Sequence, residues 1–138
     1  MRAKTITGKM LIMTVLVLVA APAFADEASY DVVDPDGIYY RTIRGKHPKA
    51  PAVLVADTVW AAIPEYQKIV EDGLTEDDAK YHLLLKKATE RFNKALKKLA
   101  KRDSYDMLGE VGSIEARGEK PKPIPVATSD LVELVGRD

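Results

Sequence analysis

The sequence contains no cysteine, and among its 138 residues it has only two histidines, one tryptophan and two phenylalanines. Without cysteine there is no disulfide framework, no lipobox thiol and no cysteine nucleophile. The sequence also lacks a phosphate-binding glycine loop, a G-x-S-x-G elbow and an H-E-x-x-H helix. We therefore predict a protein that is not an enzyme, with no catalytic residues and no cofactor.

Metal ligands are equally scarce. His47 lies in a segment rich in proline and basic residues, and His82 has a single carboxylate, Asp78, one helical turn before it. Such a pair is more typical of a hydrogen bond than of a metal site, which needs several converging ligands. Five acidic residues lie within 71–78, but they lack the D-x-D-x-D-G spacing of a calcium loop. The sequence predicts no metal site.

Only one long apolar run is present, at residues 10–21. Basic residues precede it, and Ala23-Phe24-Ala25 follows it, which is the pattern of a signal peptide with its cleavage site. The run is short for a transmembrane span. We predict that residues 1–25 are cleaved and that residues 26–138 are a soluble periplasmic protein. Removing Arg2, Lys4 and Lys9 leaves 18 basic and 21 acidic side chains, a net charge of −3.

The strongest periodic pattern lies between Leu74 and Gly109, a stretch without internal glycine or proline. Apolar residues recur there at alternating spacings of four and three, which is typical of a helix that packs lengthwise on a partner. The preceding Thr75-Glu76-Asp77-Asp78 offers a capping hydroxyl and carboxylates for the positive end of the helix dipole. We predict one long helix over residues 76–102, with an apolar stripe formed by Tyr81, Leu84, Leu85, Ala88, Phe92, Ala95, Leu96 and Leu99.

The second half of this helix is strongly basic, and Glu90 is its only acidic residue. Basic residues near a helix C-terminus complement the dipole, so a solvated face is one interpretation. The other interpretation is a surface that attracts acidic partners. The residues concerned are Lys86, Lys87, Arg91, Lys94, Lys97, Lys98, Lys101 and Arg102.

Residues 26–51 predict an N-terminal hairpin followed by a linker. Two short runs of strand type flank Asp34-Pro35-Asp36-Gly37, where proline presets φ and glycine supplies a positive φ. Residues 44–51 are too polar and too rich in glycine and proline for a regular element. Two interpretations remain open: the segment pairs with the rest of the protein as an additional hairpin, or it lies loose.

The remaining residues, 52–138, predict a single α+β domain. The continuous apolar run 52–56 has the length of a strand that is covered on both faces. A helix follows over residues 58–72, where Pro64 either kinks it or divides it, and Gly73 lies where a helix closes in the left-handed conformation. Together with the long helix, this helix predicts a projecting α-helical hairpin.

After the hairpin the apolar pattern changes its period. Alternation over residues 105–114 predicts a strand, which Gly109 and Gly112 weaken. A proline-rich loop follows, and Thr128 or Ser129 then caps a short C-terminal helix.

The order of these elements resembles the Skp/OmpH family of periplasmic chaperones. The likeness covers about two thirds of residues 26–138 through short matches, without a single diagnostic motif. The segments that carry it are Ala52-Val53-Leu54-Val55-Ala56-Asp57 leading into residues 59–66, residues 95–108 with Tyr105-Asp106-Met107-Leu108, and Pro125-Val126-Ala127-Thr128-Ser129-Asp130-Leu131-Val132.

The resemblance implies a homotrimer, in which strands of three subunits form a small β-body and helical hairpins project as arms around a cavity. Such chaperones use no ATP and hold unfolded outer-membrane proteins through apolar and basic surfaces of the arms. Here the arms are short, and residues 26–51 are an addition to the family pattern. By segment, the resemblance implies the client-binding residues Leu83, Leu84, Phe92, Leu96, Lys86, Lys87, Arg91, Lys94, Lys97, Lys98 and Lys101.

The first functional expectation is therefore an exported, ATP-independent holdase chaperone that shields unfolded outer-membrane or envelope proteins. The alternative is a non-catalytic periplasmic adaptor or structural protein, whose amphipathic helix docks on one folded partner. Export disfavours nucleic acid as a partner, and weak contact of the basic half-helix with a membrane surface is a further alternative. Trp60 is interpreted as a core anchor, with a binding platform as the alternative.

Overall fold

The computed structural model describes residues 29–137, and the predicted signal peptide, residues 1–25, lies outside the described residues. The fold is α+β, as the sequence predicts, with two small sheets and four α-helices in the described range. The strands are β1 (Ser29–Val32), β2 (Ile38–Arg41), β3 (Pro51–Leu54), β4 (Met107–Glu110) and β5 (Ile114–Arg117). The helices are α1 (Ala56–Ala61), α2 (Pro64–Glu71), α3 (Ala79–Asp103) and α4 (Thr128–Gly136).

The N-terminal strands form, but the predicted hairpin between them is wrong. β1 pairs antiparallel with β5, and β2 pairs antiparallel with β4, so the two strands belong to different sheets. Between them Pro35–Gly37 forms a single 3₁₀ turn, and the N–H groups of Val33 and Asp34 donate to the carbonyl oxygen of Ser113 at 2.9 and 3.2 Å. β1 and β2 therefore run in succession along β5 and β4 as one bent antiparallel ribbon. The turn marks the bend in this ribbon and does not reverse the chain.

The predicted strand 105–114 is divided at the same bend. Residues 111–113 connect β4 with β5, and Gly112 has a φ of +92°, which favours glycine. At Gly109 the two sides of the bend approach closely, because a Cβ there would lie 2.5 Å from Ser113 Oγ and 3.1 Å from the carbonyl oxygen of Gly37. Gly109 and Gly112, which weaken the strand pattern in the sequence, therefore permit the ribbon to bend between β4 and β5.

The second sheet has the order β2-β4-β3, and β3 runs parallel to β4. The connection between these parallel strands contains α1, α2 and α3, because a parallel pair needs a long crossover. All four residues of β3 are buried, as predicted for a strand covered on both faces, but the strand ends at Leu54 and not at Ala56, which already begins α1. A bridge between Val53 and Val126 continues the sheet beyond β3.

The predicted helix 58–72 is two helices, α1 and α2. Ile63 has an extended backbone (φ −78°, ψ 122°) because it precedes Pro64, and Pro64 then starts α2. Gly73, with a φ of +60°, closes α2 in the left-handed conformation, and the N–H of Leu74 donates to the carbonyl oxygen of Ile69 at 3.0 Å. The division of the helix and its glycine end confirm the predictions made from Pro64 and Gly73.

The long helix is a single uninterrupted α3 of 25 residues, about 37 Å in length. It begins at Ala79, three residues later than predicted, because the Asp78 carboxylate accepts the N–H of Thr75 at 2.9 Å and closes a turn before the helix. It ends at Asp103, and Ser104, which follows it, has a φ of +59°. The N–H of Tyr105 then donates to the carbonyl oxygen of Ala100 at 2.9 Å.

The C-terminal helix also forms where it is predicted, but its cap differs. No side chain caps α4, and the Thr128 hydroxyl instead accepts the N–H of Val55 at 3.0 Å. This bond joins the start of α4 to the end of β3. Buried Leu131 and Val135 of α4 then pack into the main core with residues of α1 and α3.

Candidate functional site

The apolar stripe of α3 is buried inside the subunit. Six of its eight predicted residues are at most 9% exposed, while Tyr81 and Leu85 are only partly buried. From Ala88 to Ala100, residues of β3, β4, α1 and α4 supply the other side of one continuous core. The buried residues of α3 are Leu84, Ala88, Phe92, Ala95, Leu96, Leu99 and, outside the predicted stripe, Ala100.

This burial corrects part of the predicted client-binding set. Leu84, Phe92 and Leu96 are 9%, 5% and 1% exposed and therefore present no accessible surface to a client. Leu83 is the exception, since it is 55% exposed. Sequence spacing placed these residues on a stripe correctly, but it did not reveal that α1, α4 and the sheet cover that stripe.

The helical hairpin packs along the domain, with α2 antiparallel to α3. Arg91 forms a two-pronged ion pair with Glu65, with N–O distances of 2.9 Å for both prongs, and these side chains are only 20% and 18% exposed. Arg91 also donates to the carbonyl oxygen of Val135 at 3.4 Å, so it ties together α2, α3 and α4. Arg91, predicted as a client-binding residue, is thus mainly a structural residue.

The Glu65–Arg91 pair has a clear electrostatic consequence. The hydrogen bonds from Arg91 lower the pKa of Glu65 below its ordinary value of 4.5, and they outweigh the opposing effect of burial. A second pair, Asp72 with Lys80 at 2.8 Å, lies near the other end of α2, but both side chains are largely exposed.

Six lysines of α3 form one solvent-exposed surface, which we call the lysine face. Arg102 is not part of it, because it forms ion pairs with Asp103 at 3.0 Å and with Asp130 at 3.7 Å. At 100° per residue, the members of the lysine face lie within an arc of about 120° on the side opposite the buried stripe. Leu83 and Glu90 lie within the same arc. Within residues 29–137, none of these lysines has an ion pair. The lysine face consists of Lys86, Lys87, Lys94, Lys97, Lys98 and Lys101, all exposed.

The histidines are engaged in local contacts. The His82 ring nitrogen Nε2 lies 2.6 Å from the carbonyl oxygen of Glu76, while the Asp78 carboxylate accepts the N–H of Thr75, so the structure does not pair His82 with Asp78. His47 lies 2.7 Å from the Asp31 carboxylate. In the part of the chain that the structure describes, no group of three or more candidate ligands converges on a metal position.

Two acidic residues organise the surroundings of the sheet, and sequence reasoning missed both. The Asp106 carboxylate accepts the N–H groups of Lys49 and Ala50 at 2.7 and 3.0 Å, so the predicted linker is anchored to the domain. The Glu110 carboxylate accepts the Tyr39 hydroxyl at 2.9 Å and the N–H of Ala56 at 3.0 Å. Both carboxylates bond to segments that are far away in the sequence, so no local motif identifies their roles.

The pKa of Tyr39 is raised in this environment. Burial, the hydrogen bond to Glu110 and the negative charges of Glu110, Asp57 and Asp34 raise its pKa to about 12. The hydroxyl therefore stays protonated across the physiological range and donates to Glu110.

Trp60 lies at the edge of the main core. Its ring stacks on Phe92 with a centroid distance of 5.2 Å and an interplanar angle of 25°, yet Trp60 is only partly buried. It contributes to the core, as the sequence predicts, and its exposed part lines an open depression beside α1 and α2.

Comparison of the chain with family models, with curated proteins and with solved structures finds no match. The resemblance to the Skp/OmpH family is therefore carried by residues of this sequence alone, and the family, the chaperone activity and the trimer stay predictions. Among residues 29–137, no helix combines the length and the hydropathy that crossing a membrane requires.

Proposed function

We propose that the protein is a non-catalytic, exported adaptor that docks on the acidic surface of a folded envelope partner through the lysine face. The observation that supports this proposal is the division of α3 into two sides. The buried stripe fixes the helix on the domain, while six lysines without an ion pair in the described residues point to solvent. A rigid helix thereby presents its positive charges in a fixed arrangement.

The lysine face has an energetic reason to accept an acidic partner. Lys94 and Lys98, like Lys97 and Lys101, are neighbours at a spacing of four residues, and such like-charge pairs are unfavourable by about 0.2–0.5 kcal/mol each. An opposing acidic surface relieves this repulsion and accelerates association by electrostatic steering. Lysine is a mobile point charge, so we expect recognition of overall charge and not of one specific group.

The export part of the proposal rests on the N-terminal sequence. Residues 1–25 have the basic, apolar and small-residue regions of a signal peptide. A basic face on a mildly acidic exported protein favours a protein partner over nucleic acid.

The test compares two variants that lose the same charge. The first replaces Lys94, Lys97, Lys98 and Lys101 with glutamine, and the control replaces the exposed Lys46, Lys49, Lys120 and Lys122 with glutamine. Binding to poly-glutamate is measured by calorimetry at several salt concentrations. If each lysine contributes about 0.4 kcal/mol, the first variant binds about 15-fold more weakly, with a flatter salt dependence.

The control variant decides what such a loss means. We expect it to bind nearly as tightly as the wild type. An equal loss in both variants would show that only net charge matters, and unchanged binding in the first variant would show that the lysine face is merely solvated.

A holdase chaperone is the second candidate function, and the exposed Leu83 within the lysine face favours it. Positive charge with an apolar side chain at its centre attracts and retains unfolded segments in a weak, adaptable way. The burial of Leu84, Phe92 and Leu96 weighs against it, since little apolar surface is left for clients. Suppression of aggregation of an unfolded outer-membrane protein at a stoichiometric ratio would favour the holdase over the adaptor.

A further inference from the structure

An open depression of about 450 Å³ lies beside α1 and α2, away from the lysine face. It is lined by Asp57, Trp60, Ala61, Tyr66 and Leu85. Leu85 lies on nearly the opposite side of α3 from the centre of the lysine face. A second depression of about 380 Å³ shares Ala61 and Tyr66 with the first and continues along α2.

Two aromatic rings form a corner in this depression. Trp60 and Tyr66 have ring centroids 5.8 Å apart and an interplanar angle of 66°, and both side chains are partly exposed. Trp60 is held in place because it stacks on Phe92, which is buried in the main core and also makes an edge-to-face ring contact with Tyr39 at a centroid distance of 5.8 Å. The corner is therefore built before any ligand arrives, which reduces the entropy lost on binding.

The charge at the corner is negative. Asp57 is exposed, and within residues 29–137 it has neither a hydrogen bond nor an ion pair. The described residues that line the two depressions include the carboxylates of Asp57 and Glu71 and no basic side chain. Aromatic faces beside a carboxylate attract cations, and tryptophan is the strongest of the aromatic partners.

Apart from Asp57, the rest of the lining of the first depression beside the two rings is apolar. Ala61 and Leu85 present apolar side chains, and the carbonyl oxygen of Ala61 already accepts the Gln67 side-chain amide at 3.0 Å. A primary ammonium group carries three N–H donors that need acceptors, whereas a quaternary ammonium group carries none. Asp57 and Tyr66 supply the side-chain oxygens in the first depression, and the other side chains that line it offer aromatic faces and apolar groups. This lining suits a bulky cation that is apolar at its surface.

We propose that the corner of Trp60 and Tyr66, completed by Asp57, binds an alkylated ammonium group such as the trimethylammonium of choline. The rings contact the methyl groups and the Asp57 carboxylate balances the charge. This site is independent of the adaptor proposal, because it uses neither the lysine face nor its partner. The same headgroup occurs free or on a phospholipid, and the experiment separates these sources.

Trp60 is the only tryptophan in the sequence, so its fluorescence reports directly on the site. The full-length mature chain is titrated with choline chloride, with the neutral isostere in which carbon replaces nitrogen, and with sodium chloride at matched ionic strength. We expect a saturable change with choline and none with the other two. An equal change with the neutral isostere, or a response that merely follows salt, would overturn the proposal.

Vesicles identify the source of the headgroup. A Trp60 response to phosphatidylcholine vesicles as well as free choline would indicate that the site also accepts lipid, and a response to choline alone would indicate a free ligand. An equal response to phosphatidylglycerol vesicles, without a response to choline, would mean general membrane contact and would overturn the proposal.

Substitutions of Asp57 and Tyr66 test the other two residues of the site while Trp60 remains as the fluorescent group. Asp57→Asn and Tyr66→Leu should each weaken choline binding by about 2- to 30-fold, as expected for the loss of one cation contact. Tyr66→Phe keeps the ring and should bind like the wild type, as should Asp77→Asn, which removes an exposed carboxylate elsewhere. Since Asp57 is exposed, its variant should fold normally, and unchanged affinity in Asp57→Asn and Tyr66→Leu would refute the site.

Discussion

At the scale of single residues, the Glu65–Arg91 pair is the contact whose removal should be most informative. We expect Glu65→Gln to lower the free energy of unfolding by about 1–3 kcal/mol at neutral pH, because it weakens a two-pronged ion pair that is about four-fifths buried. Chemical denaturation of both proteins measures the difference. The matched control is Asp72→Asn, which breaks the exposed pair with Lys80 and should change stability little.

The pH dependence of this difference follows from the pKa of Glu65. Since the folded pKa lies below the ordinary value of 4.5, the stabilisation by ionised Glu65 is complete above that value. It is lost as the pH falls through the lowered folded pKa. The advantage of the wild type over Glu65→Gln should therefore disappear in acid, and a difference that grows in acid would contradict the assignment.

The residues that sequence patterns did not predict share one physical feature. Asp78 and Thr128 were read as members of helix starts, but each side chain bonds a backbone N–H outside its helix, at Thr75 and Val55. Hydroxyl and carboxylate groups satisfy whichever orphan N–H is nearest in the folded chain. That choice depends on tertiary placement, which a local pattern does not contain.

At the scale of elements, the buried and exposed sides of α3 should respond differently to truncation. We expect Leu96→Ala to cost about 2–5 kcal/mol of unfolding free energy, because Leu96 is 1% exposed in the core. Leu83→Ala, on the 55% exposed side of the same helix, should cost less than about 0.5 kcal/mol. Thermal or chemical unfolding measures both, and similar losses would mean that the stripe is not buried as described.

Periodicity predicted the helices and the buried strand well because both patterns are local. The four-and-three spacing of α3, the break at Pro64 and the continuous run of β3 each follow from one stretch of chain. Strand pairing, in contrast, does not follow from one stretch of chain. Residues 34–37 have the composition of a hairpin turn, yet β1 and β2 pair with β5 and β4, because residues more than 60 positions away offer the better ladder.

The candidate binding surfaces, like the strand pairs, could be predicted only in part from local sequence patterns. The sequence predicted that the second half of α3 is basic, but not that its lysines share one side. It also took the apolar side for a binding surface, since no local pattern states how much of that side the other elements cover. The corner of Trp60 and Tyr66 depends on the angle between α1 and α2. That angle is set by Pro64 and by packing on Phe92.

At the scale of the whole molecule, a single subunit covers its own apolar stripe and leaves the lysine face outward. The trimer that the family resemblance implies joins strands of three subunits in a β-body, and it stays a prediction. The stripe itself gives subunits no reason to associate, because its buried residues lie in the core of one subunit. We therefore propose that binding uses the positive charge on one side of α3 and the aromatic corner on the other.

The oligomeric state tests this claim most directly. Light scattering on residues 26–138 at micromolar concentration should give the mass of a monomer, because one subunit already buries the stripe of α3. A trimer that persists on dilution and loosens when Leu96 is truncated would contradict this claim, since it would mean that subunits share the stripe that one subunit is described as burying.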